Sequence, residues 1–289
     1  MAEIIQRDGT WAFDGTTVRI TPGLHRSVPL FRQTYGEVAV PLEAVAGVVY
    51  EPERRRGRLR IRLREGADPL LQATGGRLPD PADPYNLTVD QDSTGTAEFI
   101  AEEIRNALLL DQIPQSPTAA YLLPGPPVPV SVRSSDGTVS FDGTRVRIDW
   151  ADTSDRVKRA TGPRVIAVGD VLRVEWMPNS GYDDGFLRFV TRDTVFSKLP
   201  PEKDPYTLDL WGNTRRDLLT ALIATAVTAR IQHPSTRPHR EQLPAPPVQS
   251  ADHHDVLLRR LRELGELHRA GVLTDEEFAR TKSVILRGF

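Results

Sequence analysis

The chain has 289 residues, of which 39% are hydrophobic, and its formal net charge at pH 7 is -2. This length supports two cores and a small appendage, while a charge so close to zero excludes a global attraction to nucleic acid. The absence of cysteine excludes disulfide bonds, thiolate zinc sites and cysteine nucleophiles.

The N-terminal segment and the longest apolar run both bear on where the protein resides. Residues 1–8 lack the long apolar core of a signal peptide. Residues 218–229 form the longest mostly apolar run, which is shorter than the about 20 residues that a membrane-spanning helix needs. We therefore expect a cytoplasmic protein.

An eight-residue segment occurs twice in the chain. Phe-Asp-Gly-Thr-Thr-Val-Arg-Ile at 13–20 returns as Phe-Asp-Gly-Thr-Arg-Val-Arg-Ile at 141–148. Each copy is preceded at the same distance by Asp-Gly-Thr, starting at Asp8 and at Asp136. Such recurrence indicates an internal duplication, and the Asp-Gly step between alternating apolar residues predicts a hairpin turn at the start of each copy.

Three further pairs of segments extend the duplication in the same order. They are 45–52 with 171–178, 57–61 with 185–189, and 83–87 with 204–208. In the first copy, Leu59, Ile61 and Leu63 alternate with arginines, which predicts a half-buried strand. Each copy then ends in an apolar pattern of helical period, capped by Ser93 or Thr94 in the first and by Asn213 or Thr214 in the second. We predict an α+β, β-rich fold in which a small curved sheet or barrel carries a C-terminal amphipathic helix.

An arginine ribbon marks the first copy. It consists of Arg54, Arg55, Arg56, Arg58, Arg60, Arg62 and Arg64. Guanidinium groups suit phosphate and carboxylate oxygens, so the ribbon is our candidate site for an anionic lipid headgroup, a nucleic-acid backbone or an acidic protein strand.

A structural interpretation of the ribbon is favoured over binding, because cross-strand ion pairs are common on sheets. In that interpretation Glu51, Glu53, Glu65 and acidic neighbours on adjacent strands neutralise the arginines, and edge charges discourage aggregation. The ribbon also lacks the interleaved aromatic residues of single-strand nucleic-acid platforms, so we expect no specific nucleic-acid partner.

Two proline-rich segments, 111–130 and 233–250, separate the copies from each other and from the C-terminal residues. Their composition predicts extended spacers. Docking of such segments onto aromatic grooves is the alternative, but neither has a clean recognition motif flanked by charge.

Residues 251–289 have the pattern of a helical hairpin, with Gly271 ending one helix and Thr274 with Glu277 capping the next. About 35 residues bury too little apolar surface to be stable alone, so the hairpin must pack on another copy or on a partner. The candidate oligomerisation residues are Leu257, Leu261, Leu264, Leu267, Leu273, Phe278, Ile285 and Leu286.

The same segment resembles the short C-terminal domain known as SHOCT. The resemblance rests on Leu-Arg-Glu-Leu-Gly-Glu-Leu-His-Arg-Ala-Gly-Val-Leu-Thr-Asp-Glu-Glu-Phe at 261–278, with Lys282 and Ile285-Leu286. The two long copies are similar to a bacterial family of domains of unknown function that occurs as tandem copies before SHOCT. That resemblance implies a pleckstrin-homology-like (PH-like) fold and a role in binding or assembly, and it implies no catalytic residues.

The resulting domain division has five parts. They are a first PH-like repeat at 1–110, a linker at 111–130, a second PH-like repeat at 131–232, a linker at 233–250 and the SHOCT-like hairpin at 251–289. The first copy departs from the second at its arginine-rich turn, where the second has Asn-Ser-Gly-Tyr-Asp-Asp at 179–184.

Catalytic and metal-binding patterns point to no site. The chain has no glycine-rich phosphate loop ending in Lys and Ser or Thr. His253, His254 and Asp255 have the chemistry of metal ligands but no evident fourth ligand, so a solvated helix start is favoured. Asp183 and Asp184 suit calcium, yet a turn explains them equally well. We expect no catalytic residue, no metal and no cofactor.

Three functions follow as alternatives. The preferred one is a non-enzymatic cytoplasmic scaffold or adaptor that binds an unidentified protein or peptide through the repeats and self-associates through the hairpin. The second is a peripheral membrane module that binds anionic lipid through the arginine ribbon. The third, least favoured, is an enzyme whose site is assembled from residues distant in sequence.

Overall fold

The first repeat contains two small antiparallel sheets and three helices, the last of which is the longest. The structure is a computed structural model, and it describes residues 1–195, 197 and 199–236. The first sheet has the order β1-β2-β3-β4 and contains β1 (Ala2–Gln6), β2 (Gly9–Phe13), β3 (Thr17–Pro22) and β4 (Val38–Pro41). The second sheet contains β5 (Val45–Glu51), β6 (Arg56–Leu63) and β7 (Asn86–Asp90), with β6 in the centre. The helices of the first repeat are α1 (Leu30–Tyr35), α2 (Pro69–Thr74) and α3 (Thr94–Leu110).

The second repeat has the same order of strands, but among the described residues it has no helix equivalent to α2, and two short helices close it instead of one long one. Its four-stranded sheet contains β8 (Val130–Arg133), β9 (Gly137–Phe141), β10 (Arg145–Trp150) and β11 (Arg164–Ala167). Its three-stranded sheet contains β12 (Val171–Met177), β13 (Gly185–Thr191) and β14 (Thr207–Leu210). The helices are α4 (Arg156–Ala160), α5 (Thr214–Asp217) and α6 (Thr220–Thr228). Four small open sheets with few helices confirm the predicted α+β, β-rich class.

Each duplicated Asp-Gly step is a hairpin turn, as predicted. Asp14 Oδ1 accepts hydrogen bonds from the backbone N–H groups of Thr16 (2.9 Å) and Thr17 (2.8 Å). Asp142 makes the same pair of bonds in the second repeat. These backbone hydrogen bonds lower the pKa of both aspartates. The duplicated segment therefore defines the fold rather than a ligand site.

The closing helices of the two repeats differ in burial. Helix α3 is amphipathic: Ile100 and Ile104 are buried, while Glu102 and Glu103 are exposed. Every residue of α6 is buried, which corrects the prediction of an amphipathic second helix. The reason is that α6 lies between strands of its own repeat and α2 of the first repeat. The two repeats consequently share one hydrophobic core, and residues 1–237 form one compact unit.

The segment 111–130 is packed against the first repeat, which corrects its prediction as an extended spacer. The backbone N–H groups of Thr118 and Leu122 donate to the carbonyl oxygens of Glu65 and Ala67, both at 2.8 Å. Leu123 is buried in the core. Prolines do not prevent this packing, because the remaining backbone donors find acceptors in the 65–67 loop.

Of the second proline-rich segment, only 233–236 lies within the described residues. His233 is buried there, and its Nε2 lies 3.0 Å from the carbonyl oxygen of Gly66. The rest of that segment, the helical hairpin at 251–289 and all eight candidate oligomerisation residues lie outside the described residues.

Candidate anion-binding site

An aspartate carboxylate joins the two sheets of each repeat. In the first repeat this carboxylate is Asp8, from the Asp-Gly-Thr that precedes the hairpin. Its Oδ2 accepts a hydrogen bond from the backbone N–H of Thr88 on β7 (3.1 Å) and lies 3.5 Å from Nη1 of Arg32 on α1. A Cβ at the adjacent Gly9 would lie 2.7 Å from the carbonyl oxygen of Thr21, so the motif requires glycine there.

The second repeat has the equivalent arrangement at Asp136. Its Oδ2 accepts from the backbone N–H of Asp209 on β14 (2.9 Å) and from Nζ of Lys158 on α4 (2.6 Å). We call this arrangement of aspartate, helix cation and strand N–H the carboxylate clamp. Sequence reasoning noted that Asp-Gly-Thr recurs but missed the role of its aspartate. The sequence did contain a signal for this role: the aspartate recurs in both copies, and an arginine or lysine follows it in a short helix each time.

The two clamps differ in the length of the ion pair: we call the clamp with the short pair closed and the clamp with the long pair open. In the second repeat the Lys158 side chain is fully buried against Asp136 at 2.6 Å. In the first repeat, Arg32 is equally enclosed, with 3% of its side chain exposed, but the ion pair is 0.9 Å longer, at 3.5 Å against 2.6 Å. Arg32 Nη2 and Asp8 Oδ1 are both buried without a hydrogen-bond partner among the described residues. Burial lowers the pKa of Arg32, and the Asp8 carboxylate opposes that change.

A cavity of about 260 Å³ adjoins the open clamp. We call it the arginine pocket. Its charged lining consists of Arg7, Arg32, Arg56 and Arg58 with Asp8, Asp80 and Asp90. Because ligand pockets for drug-sized molecules span about 300–1,000 Å³, this volume suits one small group such as a carboxylate.

The structure divides the predicted arginine ribbon into separate environments. Arg56 and Arg58 line the arginine pocket, where they pair with Asp90 (3.3 Å) and Asp80 (2.9 Å). Arg54 and Arg55 are exposed in the preceding turn, and Arg60 and Arg62 are exposed on β6. Arg64 follows the strand and donates to the carbonyl oxygens of Ser116 and Glu43.

Two parts of the structural interpretation of the ribbon need correction. Asp90 on the adjacent strand β7 is one of the predicted acidic neighbours, but the other ion-pair partner is Asp80 in a loop, and Glu51, Glu53 and Glu65 form no ion pair with the ribbon among the described residues. The ribbon also lies on β6, the central strand of its sheet, so its charges do not protect a sheet edge. Within the described part of the chain, Arg60 and Arg62 have no acidic side chain at ion-pair distance.

The equivalent surface of the second repeat is acidic. By cross-strand pairing, Phe186 occupies the position of Arg58, and Asp209 occupies that of Thr88. Burial raises the pKa of Asp209 to about 6; Lys158 opposes this rise, whereas Asp136, Asp184 and Glu202 contribute to it. The one arginine of β13, Arg188, is neutralised by Asp204 at 3.0 Å. The second repeat thus has an aromatic residue in place of Arg58 and an additional carboxylate in place of Thr88.

Replacing Asp209 by asparagine is expected to raise the free energy of unfolding at neutral pH. The folded-state pKa of about 6 lies above the ordinary value of 3.8, so ionising Asp209 destabilises the fold increasingly as the pH rises through that window. The gain should therefore be largest above about pH 6 and vanish below about pH 4. Urea denaturation across this range measures it. Asp193→Asn, in an exposed turn, is the matched control, and an equal gain there would contradict the argument.

Other chemistries find little support in the described part of the chain. No group of three or more His, Asp or Glu side chains there is placed to hold a metal ion. Asp183 belongs to a turn in which its N–H donates to Ser180 Oγ at 2.9 Å. His253, His254 and Asp255 lie outside the described residues. No described helix is long and apolar enough to cross a membrane.

Comparison with protein families identifies the two repeats and the C-terminal segment. A model for a domain of unknown function, DUF4429, matches residues 11–105 and 139–228. A second model, the short C-terminal domain SHOCT, matches residues 259–286. These matches confirm the resemblance to tandem repeats followed by SHOCT. A search of curated proteins found no match.

Proposed function

The chain belongs to the DUF4429 family, and from this premise we propose that it is a non-enzymatic cytoplasmic adaptor whose first repeat binds an acidic segment of a protein partner in the arginine pocket. The proposal includes a PH-like fold for each repeat. The order of a four-stranded sheet, a three-stranded sheet and a closing helical segment supports that assignment.

The open carboxylate clamp carries the proposal. Lys158 closes the clamp of the second repeat, whereas the first repeat leaves Arg32 Nη2 without an acceptor beside the arginine pocket. A buried guanidinium N–H without a partner is costly, and charge-assisted bonds to a carboxylate are among the strongest hydrogen bonds in proteins. An acidic ligand that reaches this buried N–H group would therefore complete the clamp.

The polarity of the unpaired atoms favours a peptide over a phosphate. Besides the donor Arg32 Nη2, the acceptors Asp8 Oδ1 and Asn86 Oδ1 are buried without partners, and all three residues line the arginine pocket. A peptide supplies both a carboxylate for the arginine and an N–H group for the acceptors. A phosphate dianion supplies only acceptors and would lie against the Asp8 carboxylate.

Charge reversal in the arginine pocket is expected to weaken this binding. We expect fluorescein-labelled hexaglutamate to bind the full chain, and Arg56→Glu with Arg58→Glu to weaken binding by about tenfold or more, because each charge-assisted hydrogen bond contributes about 1.5–3 kcal/mol. Fluorescence anisotropy measures the affinity. The matched control is Arg145→Glu with Arg147→Glu on β10, which removes the same charge from the second repeat.

Equal loss of affinity in both variants would show only a general charge effect and would contradict the proposal. Binding of vesicles containing phosphatidylglycerol, lost on the same pocket reversal while hexaglutamate does not bind, would support the membrane alternative instead. The observation in favour of that alternative is the exposure of Arg60 and Arg62, neither of which has a carboxylate at ion-pair distance in the described part of the chain, although Asp83 interacts with Arg60 over a longer distance.

Self-association through the C-terminal hairpin is the second half of the adaptor proposal. Residues 259–286 match SHOCT, and their pattern supports a hairpin too small to be stable alone. The hairpin would bring copies together, while the first repeat binds the partner.

A further inference from the structure

A second cavity, between the two repeats, adjoins the arginine pocket. This cavity has a volume of about 420 Å³, and Ser27 and Pro29 line both spaces. Its apolar lining comes from Val28, Leu30 and Phe31 of the first repeat and Leu218 of the second, with Arg26 and Arg215 beside them. We call these two adjoining spaces the groove; the arginine pocket is its basic part and the second cavity its largely apolar part.

A loop of the second repeat has the complementary chemistry. Between β12 and β13, Tyr182 is 100% exposed, and Asp183 and Asp184 beside it are exposed as well. The loop occupies the position at which the first repeat has Arg54-Arg55-Arg56. Exposed tyrosines are enriched at protein interfaces, where they bury a large area at a small cost in conformational entropy.

Hydrogen bonds hold this acidic loop in a defined shape. Asn179 Oδ1 accepts from the N–H of Gly181 (2.8 Å), and Asn179 Nδ2 donates to the carbonyl oxygen of Gly212 (3.1 Å). Ser180 Oγ accepts from the N–H of Asp183 (2.9 Å). The backbone of the loop is therefore preorganised, which lowers the entropy lost on binding.

We infer that the partner of the groove is the acidic loop of a second copy of this chain, with its carboxylates in the arginine pocket and its Tyr182 in the apolar cavity. This inference rests on the proposed function and names the acidic segment. It is supported by the opposite charges of the corresponding turns in a duplicated fold.

The positions of loop and groove favour a reciprocal dimer. Gly181 of the loop lies against Thr214, since a Cβ there would be 3.7 Å from Thr214 Cγ2. The next residue, Arg215, lines the groove. A loop and a groove that adjoin on one surface allow each copy to place its loop in the other's groove around a two-fold axis, which gives a closed assembly.

Engineered cysteines test this contact, because the chain has no cysteine of its own. Tyr182→Cys protein is mixed with Leu30→Cys protein of different tag mass, and the disulfide-linked heterodimer is quantified after mild oxidation. We expect the yield to exceed that with Leu110→Cys by about tenfold or more, since a disulfide needs Cα atoms within about 7 Å. Leu110 is the matched control because the residue is 81% exposed, against 45% for Leu30, so random collisions would cross-link Leu110→Cys at least as readily.

Charge swapping makes the test specific. Adding Asp183→Arg and Asp184→Arg to the loop protein, or Arg56→Glu and Arg58→Glu to the groove protein, should each reduce the heterodimer yield. Combining both reversals in one mixture should restore it. Yields equal to that of the Leu110→Cys control, or unaffected by either reversal, would overturn the inference.

The hexaglutamate and cross-linking experiments distinguish a failure of the dimer inference from a failure of the proposed function. If hexaglutamate binds and depends on Arg56 and Arg58 while the cross-link yield stays at the control level, the adaptor function stands and its partner is a different protein. If hexaglutamate does not bind, the proposed function itself is overturned.

Discussion

Lys158→Met is expected to lower the free energy of unfolding by about 3–5 kcal/mol, because it leaves an uncompensated charge in the protein interior. Asp136, the partner of Lys158, has only 3% of its side chain exposed. Methionine fills a similar volume, so the loss comes mainly from the unpaired carboxylate rather than from a cavity. Urea denaturation at neutral pH measures the change.

The first repeat supplies the matched comparison for this prediction. Arg32→Met should destabilise the protein less than Lys158→Met, because Asp8 is 21% exposed and its ion pair is longer, at 3.5 Å. Restoring neutrality with Asp136→Asn in the Lys158→Met background should recover part of the loss. Equal losses at Lys158 and Arg32 would contradict the distinction between a closed and an open clamp.

The parts of the fold that local chemistry determines were predictable from the sequence. The hairpin turns follow from Asp14 and Asp142, whose side chains accept hydrogen bonds from N–H groups two and three residues away. The amphipathic α3 follows from the periodic spacing of Ile100 and Ile104. Both features depend on residues close together in the chain, which is what sequence patterns report.

The burial of α6 depends on contacts that sequence periodicity does not report. Its partner α2 belongs to the other repeat, and an apolar stripe on one face does not reveal that the opposite face is also covered. Its threonines are compatible with this burial. Thr225 Oγ1 donates to the carbonyl oxygen of Ala221 at 2.7 Å, so a hydroxyl group is buried without loss of hydrogen bonding.

The candidate site was predictable only in part for the same reason. Arg56 and Arg58 are conspicuous because they belong to a run of arginines. Arg32 is isolated in sequence, and only the fold brings it beside them. The acidic partners, Asp80 and Asp90, lie on segments that meet β6 through its pairing with β7 and the preceding loop, so neighbouring glutamates in the sequence were the wrong candidates.

Ile223→Ala should destabilise both repeats together, by about 2–5 kcal/mol, because it opens a cavity at the centre of their shared core. Ile223 is fully buried in α6, which packs on α2 of the first repeat and on strands of the second. If that packing makes the repeats one cooperative unit, the most protected amides of β6 and of β13 should lose protection from hydrogen exchange by the same factor.

The alternative is two independent repeats joined by a linker. In that case Ile223→Ala would accelerate exchange in β13 and leave β6 unchanged. Ile148→Ala, buried in the four-stranded sheet of the second repeat, provides the matched control. In a cooperative unit it too should affect β6 and β13 equally, although its side chain belongs to the second repeat alone. If each substitution lowers the protection of β6 and of β13 by the same factor, the duplicated domains fold as one unit. A side chain deleted from one independent domain would not change the protection of amides in the other.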